Sequence, residues 1–403
     1  MTYAAVPALK ADAALDKLWT PKLLSPDYDP TPRPLALKAG GTLGMAMTEK
    51  QGGSDVRANT TRAVRDGDTW RLTGHKWFCS APMSDGFLTL AQAPGGLTCF
   101  LVPRWLEGER NALQIMRLKD KLGNKSNASS EVEFTNTLAY QVGDEGKGVR
   151  TIIEMVHHTR LDTALAPAGL MRGALVEAHH WVSRRSAFQR RLIDQPLMRA
   201  VIADLALDVE SALALGLRVA RAFDSDSEQD RALARISVAL AKFLSNKRCP
   251  VVTYEAMEAL GGMGYVEDTP MPFYYREAPL NGIWEGSGNV ICLDILRTLA
   301  REPLAVEALR AELQGAMGAD RRFDAALATH LDRWPALPDE AEARWFAERT
   351  ALLLSASILL RHAPGAVSDA FVATRIAGES GRITGAMAGT DVSAILERIA
   401  PAA

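Results

Sequence analysis

Residues 69–80 read TWRLTGHKWFCS and residues 86–93 read GFLTLAQA. Both runs are short and rich in β-branched and aromatic side chains, and neither repeats apolar residues at helical spacing. The same character continues in LTCFLVPR (97–104), ALQIMRL (112–118) and EVEFTNTLAYQV (131–142), punctuated by RDGD at 65–68 and PGG at 94–96. Such runs, separated by turn clusters rather than by long helices, predict an antiparallel β-barrel or sandwich over 41–143 and disfavour a doubly wound sheet.

From residue 144 the pattern changes. VRTIIEMVHHTRLDTALAPAGLMRGALVEAHHWVSRR (149–185) has helical periodicity, with a kink expected at Pro167. A second helix is expected over about 195–223 and a third over about 231–260, the latter behind a Ser227/Asp230 capping box. A fourth starts near Gly288, and no strand is expected in this half. Long helices with short links predict a four-helix bundle over 144–300. Residues 301–403 predict a helical C-terminal extension, in which Trp345, Leu352 and Leu359 recur at sevens as on a packed helix. Residues 1–40 mix a short helical pattern with a linker whose five prolines between 21 and 34 exclude a continuous helix there. The chain reads as a multidomain α+β protein.

The 403 residues are 47% hydrophobic and 23% charged, with net charge −2, so no global field draws the chain to nucleic acid or to an acidic membrane. Cysteines stand at 79, 99, 249 and 292 without a CxxC spacing, which argues against zinc and for reduced thiols in a cytoplasmic protein. The His157/His158 and His179/His180 pairs point about 100° apart on a helix and cannot share a metal. No secretory pattern opens the chain, and its longest apolar stretch, Ala351 to Leu360, is broken by Ser355 and Ser357, so no membrane span is expected.

Chemistry is suggested by NGIWEGSGNV (281–290), where one carboxylate, Glu285, follows a tryptophan and precedes Gly286, Ser287 and Gly288. An acid beside an apolar wall is rarely without a partner or a task, and it reads as a base or as a helix-capping acid. MTEKQGGSD (47–55) could bring its backbone against a polar ring edge or a phosphate, or be a surface loop. GHKWFCS (74–80) reads as a half-buried strand. LGGMGY (260–265) reads as a helix C-cap and, with no strand before it, not as a dinucleotide fingerprint.

Taken in order, MTEKQGGSD, GHKWFCS, DKLGNKSNASSEVEF, GDEGKGV, RRSAF with a glutamine beyond, EALGGMGY and YYREAPLNGIWEGSGN resemble the acyl-CoA dehydrogenase flavoprotein family across 41–300. The WTP and DYD elements before them, and the helical tail, resemble its adaptive-response, AidB-like branch. The resemblance implies FAD held noncovalently and an oxidoreductase removing hydrogen across the α and β carbons of an acyl-CoA. It implies Met47, Thr48, Gly53 and Ser54 on the flavin's pyrimidine side, Phe78 as an aromatic wall and Ser80 as a hydroxyl toward N5. Arg185, Phe188 and Gln195 match residues reaching the pyrophosphate and adenosine of a neighbouring subunit's cofactor, hence a homo-oligomer, a tetramer. Gly261 and Gly262 match close-approach glycines for the phosphates, and Ser287 and Asn289 match flavin-side positions. Glu285 matches the α-proton base, its pKa expected to be raised beside Trp284; Arg160 matches a substrate-side arginine near it. Acyl-CoA and an electron-acceptor protein are the implied partners.

Four departures from the pattern stand out. Residues 1–40 stand where the family has a longer helical domain, so a shortened chain of uncertain activity is expected. Lys125 replaces an arginine, Gln189-Arg190-Arg191 replaces a glycine after the aromatic, and His157 stands where an acid is frequent. The AidB-like resemblance also implies a DNA-associated flavoprotein with little dehydrogenase activity, and Arg297 and Arg375 match positions on that branch's DNA face. Against this, residues 301–403 hold eleven arginines, no lysine and fourteen carboxylates, a net −3, and both arginines read more simply as salt-bridged surface residues. A noncatalytic flavoprotein is the third alternative.

Overall fold

The computed structural model describes residues 1–399, which divide into two compact units, Met1–Thr159 and Arg160 onward. No helix among the described residues is long and apolar enough to cross a membrane.

The first unit opens with helices α1 (Val6–Leu9) and α2 (Ala13–Leu23), the latter capped by Asp12. After the proline-rich linker come β1 (Leu43–Ala46), β2 (Arg62–Asp66), β3 (Thr69–Ser80), β4 (Gly86–Ala93), β5 (Gly96–Pro103), β6 (Leu113–Leu118) and β7 (Ser129–Val142). They form one seven-stranded sheet. β2–β3, β3–β7, β7–β5, β5–β4 and β6–β7 pair antiparallel. The predicted antiparallel sheet is corrected in one respect, because β1 and β2 both run parallel to β4 (Leu43↔Gly86 and Arg62↔Gln92). The path β4-β2-β3-β7-β5 therefore returns to β4.

Side-chain alternation distributes these strands between two cores. Phe87, Ala91, Phe100 and Val102 join Trp70, Leu72, Val132 and Phe134 in one. Their chain neighbours Leu88, Leu90, Cys99 and Leu101 join Leu9, Leu15, Trp19 and Leu23 of α1 and α2, with Ile152 and Met155, in the other. Both faces of β4 and β5 are thus covered, which is why these strands read as nearly unbroken apolar runs while β3 alternates. Two buried ion pairs reinforce the unit: Lys38–Asp85 at 2.7 Å and Lys76–Glu49 at 2.8 Å.

Helix α3 (Gly148–Arg184) runs from the first unit into the second and continues through Pro167 without a break. Two short strands follow, β8 (Ser186–Ala187) and β9 (Arg190–Arg191), where none was expected. Next come α4 (Pro196–Phe223), α5 (Glu228–Ala259), α6 (Met271–Glu277) and α7 (Gly288–Arg301). Ser227 caps α5 as predicted, accepting from the Asp230 N–H. α5 is buried along most of its middle and packs on α4, α7 and α10 (Ala343–His362).

The remaining helices, α8 (Pro303–Gln314), α9 (Arg321–Arg333), α11 (Gly365–Phe371) and α12 (Val392–Glu397), belong to the same compact unit. Glu312 ties α8 down, taking a bidentate pair from Arg218 of α4 at 2.9 and 2.8 Å and a further bond from Arg361 of α10. The repeat at sevens does not mark one buried face: Leu359 is buried but Trp345 is 49% exposed. Between 350 and 359 α10 is covered nearly all round, so the period carries little information there.

Candidate functional site

In the first unit the loop after β1 is pinned at Met47 and Thr48. The Thr48 carbonyl accepts from the Trp77 N–H at 2.8 Å, and the Met47 carbonyl accepts from the Asn59 amide at 2.9 Å. A Cβ added at Gly53 would stand 2.6 Å from Thr48 Oγ1, so any larger residue there would displace the Thr48 hydroxyl. Ser54 is exposed. At the end of β3, Cys79 turns into the core while Phe78 presents its ring at 48% exposure and Ser80 is half-buried. The structure thus joins Met47, Thr48 and Gly53 to the strand end that carries Phe78 and Ser80. It adds Lys119, unmarked by the sequence pattern, whose ammonium lies 3.3 Å from the Trp77 ring centre and 4.7 Å from that of Phe78. Lys125 is an exposed residue paired with Asp120 at 3.3 Å.

The second unit holds two further groups. In the first, β8 and β9 make a two-residue hairpin turned by Phe188 (φ +53°) and Gln189 (φ +62°), with the Phe188 ring 91% exposed. The Gln195 amide donates to the Ala187 carbonyl at 3.0 Å and fixes the hairpin base. The chain turns at Gly261 with φ +63°, and a Cβ there would lie 4.0 Å from an Arg185 nitrogen; nothing would crowd one at Gly262. An exposed guanidinium, a glycine bend with open space beside it and a free aromatic face suit a pyrophosphate and an adenine ring. By that test the residues present fit FAD.

The second group surrounds Glu285, which adopts φ +56°, followed by Gly286 at φ +102°. Arg160 donates to the Glu285 carbonyl at 3.1 Å and is anchored on Asp294 at 2.7 Å, which Arg235 also holds at 3.0 Å. Lys242, buried on α5, donates to the carbonyls of Asn281 at 2.9 Å and Gly286 at 2.8 Å. Burial pushes the Lys242 ammonium down to about 8; Arg160 and Lys247 push the same way and Glu285 opposes them. The Trp284 indole donates to the Asn281 side chain at 2.8 Å, within its own loop. Two cations therefore border Glu285, and of these the sequence pointed only to Arg160. Ser287 stands at the N-cap of α7 without a capping bond from its side chain, and Asn289 accepts from Arg344 at 2.8 Å.

The two arginines proposed for DNA differ. Arg297 is exposed, 3.8 Å from Asp294. Arg375 is not on the surface: it is mostly buried, bound to Asp204 and 3.4 Å from Asp208, and these carboxylates neutralise it.

Comparison with known proteins bears on the whole chain. Residues 44–137 match the middle domain of acyl-CoA dehydrogenases, 146–300 their C-terminal domain, and 1–30 the adaptive response protein AidB N-terminal domain. The putative acyl-CoA dehydrogenase AidB of Escherichia coli is 45% identical over 375 residues, covering 92% of this chain and 69% of that protein. Acyl-CoA dehydrogenase family member 11 of Caenorhabditis elegans is 35% identical over 64% of this chain and 45% of its own length. The crystal structure of C. elegans ACDH-11 in complex with C11-CoA superposes with a TM-score of 0.83 at 29% identity, covering 95% of this chain and 71% of that one. The domain matches and the E. coli relative place the chain in the acyl-CoA dehydrogenase family of FAD-dependent oxidoreductases.

Proposed function

We propose that the chain oxidises an acyl-CoA thioester across its α and β carbons, with Glu285 taking the α-proton. The observation that carries this reading is the Glu285 loop: a carboxylate in a left-handed conformation, its own carbonyl and that of Gly286 held by cations. Strain of this kind persists only where surrounding contacts over-determine it, and it concentrates at working sites. Glu285 accepts the proton from the α-carbon, and its backbone N–H meets the thioester oxygen as enolate charge develops. FAD, when bound, supplies the two-electron acceptor for the β-hydrogen. Met47, Thr48, Gly53, Ser54, Phe78 and Ser80 would border the flavin ring, with Ser287 and Asn289. Arg185, Phe188, Gln195, Gly261 and Gly262 would hold the dinucleotide end, and Arg160 would orient the base.

The same reading takes the closed strand path as the family's β-barrel and α3, α4, α5 and α7 as its four-helix bundle. It divides the chain at 40, 143 and 300 and makes the protein a cytoplasmic homotetramer passing electrons to an acceptor protein. DNA association is the lesser reading, because Arg375 is neutralised internally and the tail is net acidic. A DNA complex surviving about 200 mM salt would reverse that order, since binding built on phosphate contacts weakens steeply with salt.

Glu285→Gln tests the main reading. The shape and the N–H remain, but the proton acceptor is gone. Flavin content should hold while single-turnover bleaching by an accepted acyl-CoA, normalised to bound FAD, falls by about 10²–10⁴. Equal bleaching rates in the parent and the variant would make Glu285 a structural acid.

A further inference from the structure

We infer that Lys242 is a positioning residue for Glu285: from the middle of α5 it holds, through two backbone carbonyls, the loop that presents the carboxylate. The inference deepens the proposed role of Glu285 and rests on it.

Lys242 is 2% exposed. An ammonium that deep needs acceptors, and a carboxylate is the usual choice. Its hydrogen bonds go instead to the carbonyls of Asn281 at 2.9 Å and Gly286 at 2.8 Å. These residues lie on either side of Glu285 in the chain, so one nitrogen fixes the span between them. Arg160 grips the carbonyl of Glu285 itself at 3.1 Å. Carbonyls 281, 285 and 286 thus end on two cations, each on a long helix.

The loop needs such holding. It is neither strand nor regular α-helix, so its carbonyls lack the partners that regular structure supplies. Glu285 at φ +56° is in left-handed backbone, which costs a non-glycine residue energy and relaxes unless held, while Gly286 at φ +102° takes a conformation open to glycine. Lys242 is itself braced, because Asn246 donates to its carbonyl and to that of Thr163, both at 2.9 Å. The charged groups acting on the ammonium are Arg160 from α3, Lys247 from α5 and Glu285 from the loop. The first two oppose its charge and the third favours it, so the ammonium and the carboxylate support one another.

The test uses the full chain loaded with FAD, as the parent, Lys242→Met, Lys242→Gln and Glu285→Gln. Amide hydrogen exchange over 280–289, acyl-CoA affinity from flavin absorbance, and single-turnover bleaching per bound FAD are measured. In Lys242→Met, exchange over the loop should quicken about tenfold or more while α4 and the rest of α5 keep their protection. Bleaching should fall about 10–100-fold with Kd changed less than about threefold, as for a misplaced rather than absent group. Lys242→Gln, with an amide donor on a shorter stem, should recover part of both. Unchanged loop exchange in folded Lys242→Met overturns the inference. So does protection lost evenly across α4, α5 and α7 in both variants, which would mark Lys242 as general packing. If Glu285→Gln bleaches like the parent, the base assignment fails, and loop exchange still decides whether Lys242 holds the loop.

Discussion

Glu49 shows how little the residue type says about its role. It sits in the loop that precedes the Phe78 strand, yet only 2% of it is exposed. Burial alone would raise its pKa. Hydrogen bonds from Lys76, Thr61 and Thr60, with the Lys76 charge, outweigh that and hold it at about 2. The folded chain therefore binds fewer protons at Glu49 than the unfolded chain between pH 4.5 and about 2. Stability from this residue is complete above that window and lost as pH falls through it, on the order of 3 kcal/mol. Acid unfolding followed by tryptophan fluorescence should show this loss in the parent. Glu49→Gln should be less stable at pH 7 and nearly flat across the window at this site. Lys242 was illegible for a related reason. A lysine within a helical run reads as solvated, and only the packing of α5 shows it to be interior. Glu285 stood out in the sequence because tryptophan and glycines frame it within a few residues.

Among elements, legibility followed length and locality. α4 and α5 began and ended, and α7 began, close to where periodicity, the Ser227 cap and Gly288 placed them. β4 and β5 were legible as strands, but their burial on both faces depends on α1 and α2, which the strands themselves do not encode. The β8–β9 hairpin escaped notice because each strand has two residues, too few for any propensity to register. Its turn puts both Phe188 and Gln189 in left-handed backbone, where glycine or asparagine is favoured. Gln189→Gly should relieve about 1 kcal/mol of that strain, partly offset by glycine's greater freedom when unfolded. The net gain should appear as slower amide exchange through Ser186–Leu192, with flavin affinity unchanged or tighter. Faster exchange would mean that the turn gains more from the glutamine side chain than it loses in backbone strain.

At the scale of the whole molecule, the charge count was informative where single arginines were not. Arg375 looked like one charge in a tail, and only the fold reveals Asp204 and Asp208 beside it. Arg375→Ala would take from buried Asp204 the guanidinium bound to it and leave buried Asp208, one turn on in α4, with Arg248. The expected cost is about 3–5 kcal/mol, visible as a lowered Tm, whereas exposed Arg297→Ala should stay within about 0.5 kcal/mol. A stable Arg375→Ala would mean that Arg248, 2.6 Å from Asp208, compensates for both. The parallel pairing of β1 with β4 was beyond local patterning, since nothing in Leu43–Ala46 names Gly86–Thr89 as its partner.

The return of the strand path to β4 sets a schedule for synthesis. β7 is the last strand of the seven-stranded sheet to leave the ribosome and the hydrogen-bonded partner of β3, β5 and β6. Until Val142 has emerged, every nascent chain carries strand edges whose N–H and C=O groups lack their final partners, a template for pairing with another chain. Contacts this far apart in sequence also form slowly, while α4 and α5 can meet as neighbours along the chain. The first unit therefore cannot close its sheet until that strand arrives, and its exposed interval ends with a single strand.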